Sequence, residues 1–504
     1  MKTTAEKIGM LFCIVAGLVG VANADINPGT AVSPPQGEGK TKVVFFFDTE
    51  DFIQPRSADA IRDIANILSE EGVRGHFAMI AQIANHCEMP SEEGVRGHFA
   101  MIGYLGKKLV DWRRMDVLDA LKPHFVGTQT LYHSLHPNIT EATDIEDFDA
   151  AYLYAMDEES RGIGMLQAAT GKEKMWCSVL PGNGNTIVAM YLYADLGIPF
   201  FGGGTGMYED VSNCGDIWYC NQRHLTYAYS LQLEKLIPNY PESCDVDKEL
   251  DQLSKQKVVT LYMHPHMVVC TKHWDWVFYG GNKYEFGKWP YAPARDPADT
   301  EVFYSRLRAF VRRLKSDSRF EITDCPALYA AQRPRRAIEL ADIPAIRRSL
   351  LKDFGPVRAP AEWCIADCFL AAVRLLKGEP QHVPGKVYGF LYAPEGVKTP
   401  VRVTASGLRK AAAKMDVSRF LPTSIEVDGI KIGPADFLFA ALEVLETGVD
   451  AVVVEPRDQL GNISHYLPKM ATVNFRGTWI YCDDYKDEWT SNRLRWQFWT
   501  FRYE

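Results

Sequence analysis

One short apolar run constrains the fold of this chain more than any other feature. It is VVFFF, from Val43 to Phe47, and such a continuous run is typical of a strand that is buried on both faces. Residues 57–71 then repeat apolar positions at helical spacing, and Val73 to Ile80 predicts a second strand. A strand, a helix and a second strand in this order form the unit of a parallel sheet, so the sequence predicts an α/β fold.

The same alternation continues along the chain. It predicts strands at 124–127, 175–180, 198–201, 257–263 and 320–323, and helices at 117–121, 187–197 and 300–314. This pattern suits either a (β/α) barrel or a doubly wound sheet.

A chain of 504 residues is too long for one ordinary core, so we expect more than one unit. Prolines and arginines are frequent at 332–360, where we place a linker between a domain at 41–331 and a small α/β accessory domain at 361–504. At the other end, 1–24 combines lysines, an apolar run and a small-x-small cleavage site, which predicts a signal peptide, and 25–40 is a predicted linker. The expected location is therefore secreted or periplasmic, with no stable membrane span after cleavage.

Two kinds of internal repetition stand out. The twelve residues SEEGVRGHFAMI occur at 69–80 and again, unchanged, at 91–102, which indicates a recent local duplication or a gene-assembly error. A fold that needs one such strand must place the other copy elsewhere. In the accessory domain a weaker internal repeat relates residues 366–372 to residues 435–441, and each copy is predicted to begin a helix. The stretch 421–442 resembles pseudomurein-binding-type repeats; any small α/β domain is the alternative.

The polar residues that could carry chemistry follow directly on predicted strands. They are Asp48 to Asp51, Gln129 to Pro137, Pro181 to Gly184, and His264 to His266. In parallel α/β folds the carboxyl ends of the strands meet on one face, where ligands bind. Carboxylates and imidazoles gathered there can hold a divalent metal, and acid–base partners beside the metal suit hydrolysis of an amide or ester.

These motifs resemble those of the polysaccharide deacetylases, the NodB-homology family within the glycoside hydrolase/deacetylase barrel superfamily. FFFDTEDF is similar to the family's aspartate-rich first motif, VGTQTLYHSLHPNI to its second, SVLPGNGN to its third and LYMHPH to its last. The match covers roughly residues 42–325. It implies a distorted (β/α) barrel of the deacetylase type and removal of acetyl groups from an extracytoplasmic polysaccharide or cell-wall glycan.

The resemblance also implies roles for individual residues. Asp48 would be the general base and His264 the acid that protonates the leaving group. Glu50, with Asp51 as its rival, and His133, helped by His136, would hold the metal, which would be zinc or else cobalt or nickel. Backbone N–H groups of the turn formed by Pro181, Gly182 and Asn183 would stabilise the oxyanion.

The second motif departs from the family pattern, because Gln129 stands where the first histidine is expected. Glutamine is a poor zinc ligand. Either His133 and His136 form the pair on a shifted loop, or His264 or His266 moves in, or the site binds no metal. The last option makes the chain a carbohydrate-binding or cell-surface protein on an inherited barrel.

A glycoside hydrolase that uses Glu50 with Asp324 or Asp210 is a further alternative. The formal net charge of -9 argues against nucleic acid as a partner but permits a glycan.

Overall fold

The structure is a computed structural model that describes residues 39–72, 97–101, 103–202, 216–225, 231–241, 244–279, 281, 284–285 and 287–503. The predicted signal peptide, the predicted strand at 73–80 and Asp210 lie outside these residues, as does all of the 25–40 linker except its last two residues. Within the described part of the chain, no helix has both the length and the apolar character that crossing a membrane requires.

The strands are β1 Thr41–Thr49, β2 Gly97–Met101, β3 Phe125–Thr128, β4 Cys177–Ser178, β5 Phe200–Gly202, β6 Asp216–Tyr219, β7 Gln222–Leu225, β8 Val258–Met263, β9 Phe320–Ile322, β10 Ile338–Glu339, β11 Gln381–His382, β12 Val401–Thr404, β13 Ile425–Val427, β14 Ile430–Ile432, β15 Ala451–Val454 and β16 Arg502–Tyr503.

The helices are α1 Ser57–Glu70, α2 Gly103–Asp111, α3 Met115–Leu121, α4 Ile139–Ala142, α5 Phe148–Thr170, α6 Ile187–Asp195, α7 Val246–Leu253, α8 His266–Val269, α9 Pro297–Ser316, α10 Cys325–Ala330, α11 Ile343–Lys352, α12 Ile365–Leu376, α13 Ala405–Lys414, α14 Pro434–Thr447, α15 Ile463–Tyr466, α16 Pro468–Ala471 and α17 Thr490–Trp496.

Ten strands form the main sheet, in the order β16-β6-β7-β5-β4-β3-β2-β1-β8, with β9 paired to the start of β1. Every pairing from β7 through β5, β4, β3, β2 and β1 to β8 is parallel, whereas β6 is antiparallel to both its neighbours. The predicted mixed α/β fold with a parallel sheet is therefore confirmed. Beyond β8 the described residues add one parallel bridge, between Gln232 and Tyr262, and no described strand joins this edge to β16.

The apolar run at 43–47 lies in the centre of this sheet. All five residues are completely buried, because β2 and β8 flank the strand and helices cover it. Burial of one phenylalanine side chain contributes about 1.5–3 kcal/mol, so the three phenylalanines fix both the position and the register of β1. The polar residues that follow the run must then leave the sheet at its carboxyl end.

The duplicated segment contributes one strand beside β1. This is β2, from the second copy, which pairs in parallel with both β1 and β3. The corresponding residues of the first copy lie outside the described part of the chain.

The residues after 332 add three two-stranded sheets, β10–β11, β12–β15 and β13–β14. The chain then returns to the main sheet, where β16 pairs with β6. Gln497 holds the carboxyl-terminal segment against α6. Its side-chain oxygen accepts a hydrogen bond from the Tyr191 hydroxyl at 2.6 Å and another from the Gly389 backbone N–H at 2.8 Å. The division into two domains at 332–360 stays a prediction, and these contacts cross it.

The weaker internal repeat in the carboxyl-terminal part corresponds to two helices, α12 and α14. Each has an aspartate, Asp367 or Asp436, whose carboxylate accepts the backbone N–H at the start of its own helix. Both aspartates are completely buried and each lies near an arginine. The shared sequence thus encodes a helix start.

Candidate active site

The carboxyl ends of three parallel strands bring five of the sequence-selected residues together. Asp48 and Glu50 come from the end of β1, Gln129 and His133 from the loop after β3, and His264 directly follows β8. The three strands lie close in the sheet because β1 pairs with β8 on one side and reaches β3 through β2 on the other.

Glu50 is the centre of the group and its carboxylate is buried. Its Oε1 accepts a hydrogen bond from Gln129 Nε2 at 2.8 Å and lies 3.3 Å from His133 Nε2. Its Oε2 accepts from the indole N–H of Trp274 at 3.0 Å. Burial alone raises the pKa of Glu50, but the charges of His133 and His264 outweigh burial and hold it well below the usual range.

His264 is oriented by a completely buried carboxylate, that of Glu234. Glu234 Oε1 accepts from His264 Nδ1 at 2.8 Å and from the His264 backbone N–H at 2.7 Å. This leaves His264 Nε2 directed at Asp48 and Glu50, 3.6 Å from an oxygen of each. Burial lowers the pKa of His264, but Glu50, Glu234 and Asp48 raise it to about 10. Both ring nitrogens are therefore protonated near neutral pH, and the ring is positively charged.

Two further imidazoles face Glu50. One donor atom each from Glu50, His266 and His273 lies within 4.8 Å of the others, and the same holds for Asp48, Glu50 and His264. The three histidine rings lie close together, with centroids 4.9–5.7 Å apart. A carboxylate and two imidazoles converge here on one small volume.

The residues at this point fit a divalent cation. His266 is buried, and neither of its ring nitrogens has a hydrogen-bond partner. Burial lowers the pKa of His266 well below its usual range and that of His273 to about 4, and the charge of His264 adds to both effects. Two neutral rings therefore offer lone pairs beside an ionised carboxylate, which is the donor set of many zinc sites. An unpaired buried nitrogen is costly, and coordination would satisfy it.

His133 lies between Glu50 and a second buried carboxylate, that of Asp275. Its Nδ1 is 3.8 Å from Asp275 Oδ2, and its Nε2 is 3.2 Å from Gln129 Nε2. Burial lowers the pKa of His133, but Glu50 and Asp275 raise it above the usual value overall. Burial, together with the charge of Glu50, raises the pKa of Asp275 to about 6.

Asp51 lies in the same loop but its carboxylate is engaged elsewhere. Oδ1 accepts from the backbone N–H groups of Ile53 and Gln54 at 2.8 and 3.2 Å, and Oδ2 accepts from the Ser57 hydroxyl. These contacts fix the turn that leads into α1. The geometry therefore gives Asp51 a place in the loop structure and leaves the central position to Glu50.

His136 does not join His133 at Glu50. Its Nδ1 lies 2.8 Å from Glu141 Oε2, and its Nε2 lies 2.9 Å from the carbonyl oxygen of Phe278. It belongs to a second group that includes Glu141 and Cys482. The shifted-loop pair of His133 and His136 is thus not formed.

The turn at Pro181–Asn183 is a short 3-10 helix, with Gly182 in the left-handed region at φ 52°. A Cβ on Gly182 would lie 3.0 Å from side-chain atoms of both Trp479 and Ile480. The carboxyl-terminal segment therefore packs against this turn at Gly182.

Four residues of the site were not selected from the sequence: Glu234, His273, Trp274 and Asp275. His266 was selected only as a substitute ligand. All except Glu234 lie in the segment after β8, where His264 is followed by His266 and His273 within ten residues. That density of histidines is the signal that could have identified His266 and His273 as ligands. Glu234 stands in a 3-10 turn far from any motif and leaves no such signal.

Comparisons with known proteins add little to this geometry. No family model and no curated protein matches the chain. A structure from Mycobacterium smegmatis, provisionally assigned as a polysaccharide deacetylase, has a TM-score of 0.34 and 12% identity over 61% of this chain and 94% of that one. A 4-alpha-glucanotransferase from Thermococcus litoralis has a TM-score of 0.34 and 11% identity over 67% of this chain and 50% of that one. These weak likenesses do not establish a shared fold or function.

Proposed function

We propose that this protein is a metal-dependent hydrolase of the deacetylase type, which removes acetyl groups from a polysaccharide. The observation that carries the proposal is the convergence of Glu50, His266 and His273, whose donor atoms all lie within 4.8 Å of one another. Asp48 and His264 stand beside them, so candidate metal ligands and candidate acid–base groups share one site.

The metal would be held by Glu50, His266 and His273, and zinc suits this donor set. A divalent cation bound there supplies Lewis-acid chemistry, because it polarises a carbonyl and lowers the pKa of water. Trp274 positions the ligand set by donating its indole N–H to Glu50 Oε2. The sequence-based ligands Asp51 and His136 are not part of this proposal.

Asp48 and His264 would carry out the proton transfers. The carboxylate of Asp48 is the acceptor for the proton of the attacking water. His264 holds a proton on Nε2 while Glu234 fixes the ring through Nδ1, and Nε2 would protonate the departing amine or alkoxide. Removal of an acetyl group then yields acetate and the free sugar amine or hydroxyl.

The resemblance of the four motifs to those of the polysaccharide deacetylases supports the choice of substrate class. We also propose the family's distorted barrel for residues 41–331. In its favour, β1 to β5 follow one another in the sheet and β8 lies on the far side of β1. An extracytoplasmic location, secreted or periplasmic, is proposed from the composition of residues 1–24.

One observation favours a second function, that of a carbohydrate-binding protein without catalysis. Gln129 donates to Glu50 Oε1 at 2.8 Å, so an amide occupies a side of the central carboxylate where an imidazole was expected. The glycoside hydrolase alternative gains no such support. Asp324 Oδ1 accepts from Ala327 N–H at 2.7 Å and so serves to cap α10.

Acetate release from acetylated glycans tests the proposal. The full chain, supplied with zinc or cobalt, is assayed against N-acetylated and O-acetylated polysaccharides. We expect Asp48→Asn to lower kcat by about 100-fold to 10,000-fold while the bound metal is retained. Asp59→Asn, a change at a partly exposed carboxylate on α1 away from the site, is the matched control. Failure of the metal-loaded wild type to release acetate, together with retained glycan binding, would favour the binding function instead.

A further inference from the structure

A second group of potential metal ligands lies outside the central site. It consists of His136, Glu141 and Cys482, which we call the His136 cluster. Donor atoms of the three residues lie within 4.8 Å of one another. His136 and Glu141 come from the loop after β3 and from α4, whereas Cys482 comes from the carboxyl-terminal segment.

The hydrogen bonds of His136 decide which of its ring nitrogens would face a metal ion. Its Nε2 lies 2.9 Å from the backbone carbonyl oxygen of Phe278, and a carbonyl can only accept, so Nε2 carries a proton. Its Nδ1 donates a second proton to Glu141 Oε2 at 2.8 Å, and this is the proton that a metal ion at the cluster would displace. Metal-binding histidines typically donate their other N–H to a backbone carbonyl or carboxylate in this way.

Cys482 completes the group with a soft ligand. It is half-buried, forms no disulfide, and its thiol contacts the Glu141 carboxylate. Its backbone N–H donates to Glu141 Oε1 at 2.6 Å, and the backbone N–H of Asn138 donates to Glu141 Oε2 at 2.8 Å, so the carboxylate is fixed beside the histidine. Nitrogen, oxygen and sulfur donors together form the ligand set that zinc prefers over magnesium or calcium.

The cluster opens into a cavity of about 550 Å³. Asp144, Asp484 and Glu488 line the cavity together with a single lysine, Lys486, so the wall carries net negative charge. Such a wall attracts a cation, and the opening leaves a coordination position for water or a ligand.

We propose that the His136 cluster binds a second zinc ion, held by His136 Nδ1, Glu141 Oε2 and the Cys482 thiolate. Binding replaces the thiol proton of Cys482 and the Nδ1 proton of His136, and both leave to solvent. The ion connects the loop after β3 to the carboxyl-terminal segment beside the central site. It is independent of the metal at Glu50 and does not depend on the proposed hydrolase activity.

Cobalt substitution tests the proposal, because a thiolate bound to Co²⁺ gives a charge-transfer band in the near ultraviolet. The ligands of the central site are carboxylate and imidazole, so this band reports Cys482. The full chain loaded with Co²⁺ should show the band, zinc should displace it, and Cys482→Ser should abolish it. Cys244→Ser is the matched control, since Cys244 is also half-buried and unpaired. His273→Ala should leave the band unchanged.

Because Cys482→Ser could lose the band by misfolding, a second measurement uses the wild type alone. Zinc should slow the modification of Cys482 by a thiol reagent by at least about 10-fold, as located by mass spectrometry. Absence of the band in the wild type, or its survival in Cys482→Ser, would overturn the proposal. Unchanged reactivity of Cys482 with zinc would also overturn it and would leave a protonated His136 paired with Glu141.

Discussion

Glu159 on α5 carries a quantitative prediction about stability. It is completely enclosed between the loop after β3 and α6: Oε1 accepts from Leu131 N–H at 3.2 Å, and Oε2 accepts from the Tyr193 hydroxyl at 2.6 Å. Tyr154 lies near it on its own helix. Burial outweighs these hydrogen bonds and raises the pKa of Glu159 from an ordinary 4.5 to about 7.

The sign of the pH effect follows from this shift. Below pH 4.5 the carboxyl is protonated in both folded and unfolded chains, so its contribution to stability is fully present. Between pH 4.5 and 7 the unfolded chain has lost the proton while the folded chain retains it, so stability falls as the pH rises. A difference of about 2.5 pH units at about 1.4 kcal/mol each makes about 3.5 kcal/mol in total, and about 3 kcal/mol of it is lost between pH 4.5 and 7.

Replacement of Glu159 with glutamine should remove this dependence. The amide keeps the acceptor for Leu131 N–H and can pair with the Tyr193 hydroxyl, but it does not ionise. Urea denaturation at several pH values should show the wild type losing about 3 kcal/mol more than Glu159→Gln between pH 4.5 and 7. Asp157→Asn, an exposed change on the same helix, is the control and should follow the wild type. Equal pH profiles for the wild type and Glu159→Gln would refute the reasoning.

Two further predictions concern packing and the support of the site. Gly127→Ala in β3 places a Cβ against Cys177 and should lower the free energy of unfolding by about 1–3 kcal/mol in thermal or urea denaturation. Gly164→Ala, which has open space around it on α5, should not lower it. Equal stability of the two variants would contradict the structure. Trp274→Phe keeps the ring contacts but removes the N–H donor to Glu50, so a zinc titration should show the affinity for zinc weakened by about 10-fold to 100-fold. Trp276→Phe removes an indole nitrogen that has no partner, so this variant should bind zinc as the wild type does.

The sequence predicts the sheet well where one strand is apolar throughout. The run at 43–47 is typical of a buried strand, and its position fixes where Asp48 and Glu50 emerge. The strand predicted at 175–180 shrinks to Cys177–Ser178, because neighbouring strands determine how far hydrogen bonding extends. The return of 502–503 to β6 could not be predicted, since pairing over such a separation leaves no local pattern.

The site is less predictable than the sheet, because side-chain contacts depend on loop geometry. His133 and His136 share one loop, yet Glu141 and Phe278 hold His136 away from Glu50. His273 reaches Glu50 from a loop whose path no periodicity describes. Asp51 follows the same strand as Glu50, but its carboxylate accepts hydrogen bonds from Gln54 and Ser57 in the turn that leads into α1, so it does not face the site. Residue type and position after a strand select candidates, and only packing decides among them.

The metal content of the purified full chain shows whether Glu50, His266 and His273 hold a metal ion. After incubation with zinc and removal of the excess, the wild type and His273→Ala are analysed side by side, with His465→Ala as a control on α15. We expect His273→Ala to bind about one zinc ion fewer per chain than the wild type, and His465→Ala to bind the same amount. Equal zinc in the wild type and His273→Ala would contradict a metal centre at Glu50, His266 and His273.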